Sequence, residues 1–410
     1  MPSSRDQSQR QLSDVSKNIV IIGAGIGGLT SSLVLARAGH NVTLVERSTG
    51  FSEVGAGLQL SPNVSRLLVS LGLGPALQRA ATEPDRVVIR SARSGSQIGE
   101  IALGSFMRET FQSPYWVIHR ADLQTTLLDA VRSESSIQLL VGRTLEAISQ
   151  NENGVELTVK TAGGTTETLH ADLVIGADGV RSAVRKAIGD SRDPVYRGYV
   201  AWRTTVDTAL APPTLPRNET GLWLGPRGHV VHYPVKNGKK INIIAVERRA
   251  KPVDGWTAPG DVKDLLSSYG SIAPELRKLL SCQKEWLLWS LADIPAKKMA
   301  EGRIALLGDA AHPVLPFLAQ GAALAIEDSF CLAQELNAFP EDIPAALASY
   351  QNKRLGRAIE VQTQSRRNGK IYHAPAPIAI PRNMVMKKIG PTGMVTRYSW
   401  LYGFKQDGAK

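Results

Sequence analysis

The chain has 410 residues, 43% of them hydrophobic and 21% charged, enough apolar material for two packed domains and too much for a disorder-dominated class. Cys282 and Cys331 are the two cysteines, which excludes a disulfide framework, and neither has a second thiol at redox or metal spacing. The net charge of +11 raises nucleic-acid binding, yet nearly all of the excess is C-terminal: from Gln351 onward twelve Lys and Arg stand against Glu360 and Asp407. Without aromatic interleaving or a nucleic-acid motif this reads as a solvated basic face, suited to drawing in an anionic substrate or a phosphorylated nicotinamide.

Residues 1–17 are rich in Ser, Gln and Arg without an apolar core, which predicts a disordered lead-in and not a secretory signal. No run approaches the ~18 apolar residues of a membrane helix, so the chain reads as cytoplasmic with no integral membrane segment. The sequons at Asn41, Asn63 and Asn218 then carry no weight.

Asn18 to Ile22 is a β-branched run, followed at once by Gly23-Ala24-Gly25-Ile26-Gly27-Gly28. Leu29 to Ala38 has helical apolar spacing ending at Gly39, and Val42 to Val45 is a second strand closed by Glu46. That order is a βαβ opening. Gly23, Gly25 and Gly28 let the backbone turn tightly and bring amides to a pyrophosphate at the positive end of the helix. Glu46, 21 positions past Gly25, suits an adenosine ribose and would repel a ribose phosphate. The motif alone does not separate NAD from FAD.

Phe51 to Pro62 is Gly-rich and reads as irregular, Val64 to Leu73 as a short helix, and Asp122 to Val131 as a helix introduced by His119-Arg120. From Ile137 to Val174 the pattern is of short strands with Gly turns, and Asp172 to Gly179 is a buried strand feeding a loop. Tyr199 to Glu247 alternates polar and apolar residues, predicting an antiparallel sheet that interrupts the nucleotide domain. Asp261 to Leu280 reads as helical and Trp286 to Ile294 as a strand. Arg303 to Leu307 is a buried strand ended by Gly308-Asp309, where a carboxylate can reach a ligand hydroxyl. Pro313 and Pro316 break the chain before a helix starting near Gln320, and Ala322 to Leu336 and Pro344 to Gln364 are helical.

The fold class is therefore α/β. A Rossmann-like nucleotide-binding domain spans 18–190 and 295–365, an antiparallel-sheet substrate domain is inserted at 191–294, and a basic C-terminal segment with helices runs over 366–410. His229 and His232 lie three apart on a strand and face opposite sides, so no shared metal is expected, whereas His229 and Tyr233 share a face.

The three glycine-rich stretches in order, Gly23 to Gly28, Gly176-Ala177-Asp178-Gly179 and Leu307-Gly308-Asp309-Ala310-Ala311-His312-Pro313, resemble those of the class A flavoprotein aromatic hydroxylases over almost the whole chain. The salicylate hydroxylase and 3-hydroxybenzoate 6-hydroxylase branch is the most similar, through Val54-Gly55-Ala56-Gly57-Leu58-Gln59-Leu60-Ser61-Pro62-Asn63, Ala201-Trp202-Arg203, Gly225-Pro226-Arg227-Gly228-His229 and Trp400-Leu401-Tyr402-Gly403. The resemblance implies an FAD-dependent monooxygenase, reduced by NADH or NADPH. It would use O2 to hydroxylate a small phenolic or heteroaromatic carboxylate through a flavin hydroperoxide, as a monomer or homodimer. An epoxidase or a natural-product tailoring monooxygenase on the same scaffold is the alternative.

By the same resemblance Glu46 binds the FAD ribose, Arg47 and Arg120 contact the cofactor, and Gln124, Gly57 and Pro313 line its site. Asp178 belongs to the loop serving FAD and nicotinamide, and Asp309 takes the ribityl hydroxyls. The helix start at Gly321-Ala322 would aim free amides at negative charge on reduced flavin, while His312 reads as structural. His229 and Tyr233 become pocket residues, with His229 titrating near neutrality to accept or relay a phenol proton. Arg203, Pro316 and Phe317 face the substrate. Some 3-hydroxybenzoate 6-hydroxylases carry Gln where Pro316 stands, and the Leu315-Pro316-Phe317 run looks more like salicylate and hydroxynicotinate hydroxylases.

Overall fold

The computed structural model describes residues 16–51, 56–255 and 257–405. The predicted lead-in, over residues 1–15, and Val54-Gly55 lie outside the described residues.

A six-stranded sheet is built in the order Ala300–Glu301, Ile304–Leu306, Leu173–Gly176, Asn18–Ile22, Asn41–Glu46, Ile137–Val141. All neighbours are parallel except the two-residue edge strand Ala300–Glu301. Ile21, Leu44, Val174 and Leu306 are wholly buried, which is why these strands read as continuous apolar runs and do not alternate. Helix Ile26–Arg37 packs on helix Gly321–Ala338, where Ser31 Oγ donates to Ser329 Oγ at 2.7 Å. The three glycine-rich loops leave the carboxyl ends of adjacent strands at Ile22, Gly176 and Leu306. Open parallel sheets bind ligands at that edge.

The second sheet has eight strands in the order Ala258–Asp261, Glu285–Asp293, Val195–Asp207, Lys240–Arg248, Gly228–Val235, Glu219–Gly225, Arg86–Ser91, Gln97–Ala102. It therefore draws two strands from outside 191–294. Arg86–Ser91 joins parallel to Glu219–Gly225, a long-range pairing that a reading of local pattern does not see. Phe51 to Pro62 likewise contains a short strand, Gly57–Leu60, paired antiparallel with Trp116–His119. The predicted helix over Asp261 to Leu280 is two helices, Val262–Tyr269 and Pro274–Leu280, separated at Gly270 with φ +68°.

Alternation sorts the faces of this sheet. Val200, Trp202 and Val230 face a core closed by the two short helices. Tyr199, Ala201, His229 and Tyr233 face the other way, toward Leu315 and Phe317 and the C-terminal helices. Helix Ile343–Tyr372 runs a further eight residues past Gln364, and helix Ala376–Arg397, kinked at Gly390, lies along the edge strand Gln97–Ala102.

The C-terminal charge excess is only partly a solvated face. Arg354 and Arg357 are buried in ion pairs with Glu327 and Asp328, and Arg366 joins Arg197 on the buried carboxylate of Asp293 at 2.8 and 2.6 Å. Sequence gives the sign of these groups but not their partners.

Candidate active site

The first loop shows why its glycines are there. Gly23 has φ +103°, and a Cβ on it would lie 2.6 Å from the Ala177 carbonyl. A Cβ on Gly28 would lie 1.8 Å from the Gly23 carbonyl, while that of Gly25 would meet nothing within 4 Å. The loop is thus closed on its inner side and open at Gly25. No side chain caps the helix that starts there, and its first turn has no acidic residue. Glu46 is aimed at this opening, accepting from Ala24 N at 2.8 Å and from Ser48 N at 2.9 Å. Arg47 is exposed beside it.

In the second loop Asp178 accepts from the amides of Ala183 and Val184 at 2.7 and 3.2 Å, and burial pushes its carboxyl up from the ordinary value. Arg185, which sequence reasoning passed over, is buried and donates to the Ala310 carbonyl at 3.1 Å and to Val180 O at 2.8 Å. It ties the second loop to the third. Its one sequence signal was a second arginine after Asp178, four residues past Arg181 and on the short helix Ala183–Ala187.

Asp309 is solvent-accessible, yet desolvation raises its carboxyl against the opposing pull of His312 and Arg120. Its surroundings thus disfavour its charge although the side chain stays accessible. Arg120 opens helix Arg120–Ser133, its amide donating to the Ala56 carbonyl at 2.8 Å, and Gln124 is buried one turn on.

The third loop leads to helix Gly321–Ala338, whose N-cap Gln320 makes no capping bond. Ala322 is half-buried beside Gly321. Gln320 is spent sideways: Asn63 Nδ2 donates to its Oε1 at 3.1 Å, and its own Nε2 donates to Ser61 Oγ at 3.0 Å. Below the helix start lies a buried charge cluster. Glu327 accepts from Asn63 at 2.7 Å, Arg354 Nη2 at 2.9 Å and both Nε and Nη2 of Arg357 at 2.6 Å. Asp328 accepts from Arg354 Nε at 2.6 Å, the Gly308 amide at 3.0 Å and His312 Nε2 at 2.6 Å. Burial pushes the Asp328 carboxyl up, but His312 and Arg354 prevail and hold it at about 2. Sequence reasoning missed this cluster, although an acidic pair inside an apolar helix and two arginines three apart on the next helix were its signal.

On the second sheet, His229 is buried among aromatic rings, with Phe317 at 5.4 Å, Tyr372 at 5.2 Å and His373 at 5.0 Å between centroids. Its Nδ1 lies 2.8 Å from His373 Nε2. Burial, then His373, lowers its pKa well below 6.5, so the expectation of an imidazole titrating near neutrality is corrected: complete desolvation keeps it neutral. Tyr233 packs on Gly57, where a Cβ would lie 2.3 Å from its ring, and burial raises its phenol above the ordinary value. His232 points to the other face, against Trp223 at 6.4 Å, and burial with nearby Arg90 pushes it down to about 3.

Arg203 lies with its guanidinium carbon 5.0 Å from the centroid of Trp289. Pro316 is exposed and opens the turn Pro316–Leu318, burying Phe317, whose ring blocks the place of a Cβ on Gly369. The Pro313 carbonyl is pinned by Gln362 Nε2 at 2.9 Å. One loop, 309–317, therefore carries both Asp309 and Phe317, the latter packed on His229. Among the described residues no group of three or more His, Cys, Asp or Glu is arranged for a metal, and no helix is long and apolar enough to cross a membrane.

These residues fit FAD. The open Gly25 position and uncapped helix suit a pyrophosphate, the oriented Glu46 carboxylate a ribose, the accessible but desolvated Asp309 a polyol, and the Gly321 helix start a ring that gains negative charge.

The FAD binding domain family matches residues 16–365. The chain is 35% identical to 3-hydroxybenzoate 6-hydroxylase of Polaromonas naphthalenivorans (strain CJ2) over 388 residues, 94% of this chain and 96% of that one. It is 33% identical to 6-hydroxynicotinate 3-monooxygenase of Bordetella bronchiseptica over 356 residues, 85% and 91% of the two chains. Among solved structures, a salicylate hydroxylase substrate complex aligns with TM-score 0.80 and 28% identity, over 96% of this chain and 97% of that one. Klebsiella pneumoniae HpxO complexed with FAD and uric acid aligns with TM-score 0.79 and 26% identity, over 92% and 94%. The chain belongs to the FAD binding domain family, with the fold of the flavoprotein aromatic hydroxylases and FAD as its cofactor.

Proposed function

We propose that the protein is an NAD(P)H-dependent monooxygenase that hydroxylates a phenolic or hydroxylated heteroaromatic carboxylate. When bound, FAD supplies electron storage and oxygen activation, with NADH or NADPH as reductant and O2 as cosubstrate. The observation that carries the reading is the join between cradle and pocket: the loop bearing Asp309 also bears Phe317, packed at 5.4 Å on the buried neutral His229.

In this reading Glu46, Asp309, Arg120, Arg47 and Gln124 hold the cofactor, and the positive end of the Gly321 helix faces the negative charge that its ring acquires. Phe317, Tyr199 and Tyr372 exclude water from the reacting ring. His229 and protonated Tyr233 face the phenol oxygen and favour its ionised, more nucleophilic form, and Arg203 holds the carboxylate. Pro316, which offers no side-chain hydrogen bond, favours salicylate- or hydroxynicotinate-like compounds over 3-hydroxybenzoate. The protein would act in the cytoplasm as a monomer or homodimer.

Purified holoenzyme is to be incubated with salicylate, 3-hydroxybenzoate and 6-hydroxynicotinate, and nicotinamide consumption compared with hydroxylated product. Product matching consumption for at least one supports the reading. Consumption without aromatic product would make the protein an NAD(P)H oxidase and sink it.

A further inference from the structure

His373, the residue that ends helix Ile343–Tyr372, has no part in the function proposed above. It is buried, and its Nε2 meets His229 Nδ1 at 2.8 Å with the rings tilted by 30°. One proton lies between the two nitrogens. Which ring carries it decides what His229 offers the substrate.

The surroundings of His373 decide this. Its other nitrogen, Nδ1, is buried with no partner among the described residues. A proton there would be an orphaned N–H, whereas a bare lone pair is the cheaper unsatisfied group. Arg248, from strand Lys240–Arg248, and Arg382, from the following helix, act on His373 as positive charges, which also favours a lone pair over a proton on Nδ1. The rings of Tyr199 at 5.1 Å and Phe317 at 6.1 Å also pack on it, and neither accepts from that nitrogen. The His373 proton is therefore on Nε2 and is donated to His229 Nδ1. That leaves the proton of neutral His229 on Nε2, which, unlike His373 Nδ1, is not a fully buried nitrogen left without a partner.

We propose that His373 is a positioning residue that holds His229 in its Nε2–H form, so that the pocket binds its phenolic substrate as the phenolate by donating to the oxyanion. The proposal rests on the function proposed above and sharpens it: His229 is a donor to substrate and not its base. The phenol O–H bond is broken on binding and its proton passes to solvent, with no net proton taken up by either histidine.

Histidine-labelled holoenzyme examined by nitrogen NMR, with the His229 signals assigned by their loss in H229N, reads the tautomer directly without substrate or turnover. The proposal expects His229 protonated on Nε2 in the wild type and in H373Q, whose amide can still donate to Nδ1, but not exclusively so in H373L. A His229 protonated on Nδ1 in the wild type overturns it. Ultraviolet difference spectra of bound salicylate, 3-hydroxybenzoate and 6-hydroxynicotinate supply the second readout. The wild type should bind a phenolate at neutral pH, and H373L should bind about ten- to a hundredfold more weakly, the worth of one charge-assisted hydrogen bond, with H373Q restoring most of the loss. Equal affinity and equal ionisation in H373L overturn the proposal. If none of the three compounds binds, the substrate reading fails while the NMR result still decides the histidine pair.

Discussion

Glu327→Gln tests whether the charge cluster beneath the Gly321 helix holds the cofactor site together. Glu327 and Asp328 are fully buried and face the guanidiniums of Arg354 and Arg357. The substitution keeps the shape but leaves two guanidiniums facing one carboxylate in a desolvated space, so Arg357 loses the paired bonds from Nε and Nη2. Breaking a buried pair from one side costs about 3–5 kcal/mol. At about 2–4 °C per kcal/mol for a domain of this size, the thermal midpoint should fall by about 6–20 °C. Asn63 also loses its charged acceptor, and Asn63 is what fixes Gln320 at the helix start. FAD content should therefore fall together with the midpoint. The assay is thermal unfolding of holoprotein plus its flavin-to-protein absorbance ratio, with Glu167→Gln as control. That residue pairs with Arg143 at the surface, and the exposed pair is worth about 0–1 kcal/mol. A midpoint for E327Q no lower than that of E167Q would refute the reasoning.

Gly28→Ala places a Cβ 1.8 Å from the Gly23 carbonyl, and Gly23 cannot withdraw because its amide is bonded to Val45 O at 2.7 Å. The variant should lose about 1–3 kcal/mol of stability and purify with little FAD; a fully loaded protein speaks against the loop geometry. Gly321→Val behaves differently, since the nearest protein atom to its Cβ position is Val314 Cγ2 at 3.7 Å. Folding should be unaffected while FAD binds more weakly or is reduced more slowly, and an unchanged cofactor affinity and reduction rate would remove the helix start from the flavin site. Stability should fall with acid, because His229, His232 and His373 are each held neutral in the fold with pKa values below 6.5. Unfolded, each takes up a proton as pH drops through about 6.5, so each removes on the order of 1.4 kcal/mol per pH unit below that. Midpoints flat between neutral pH and the onset of carboxylate titration would show that these rings are not buried as described.

The loops of the candidate cofactor cradle were largely legible in the sequence because their parts are local. Gly23 to Gly28, Glu46 and Gly308-Asp309 each combine a strand end with a turn that only certain residues permit, and the structure brings the three loops to one sheet edge. What escaped were relations between distant segments. Nothing near Arg86–Ser91 announces that it pairs with Glu219–Gly225, and Arg354 looks like any basic residue until Glu327 and Asp328 are seen beside it. His229 was singled out by the family resemblance, with strand periodicity placing it on one face with Tyr233, but its proton affinity was misjudged, because desolvation by Phe317, Tyr372 and His373 depends on a turn and a helix end far along the chain.

The most direct test of the whole account is hydroxylation under isotope-labelled O2, with purified holoenzyme, NADH or NADPH, and the substrate that drives the fastest nicotinamide oxidation. The account predicts an aromatic product carrying one labelled oxygen, formed in step with nicotinamide consumption. A product whose new oxygen comes from water, or nicotinamide oxidation that yields only hydrogen peroxide, would contradict it.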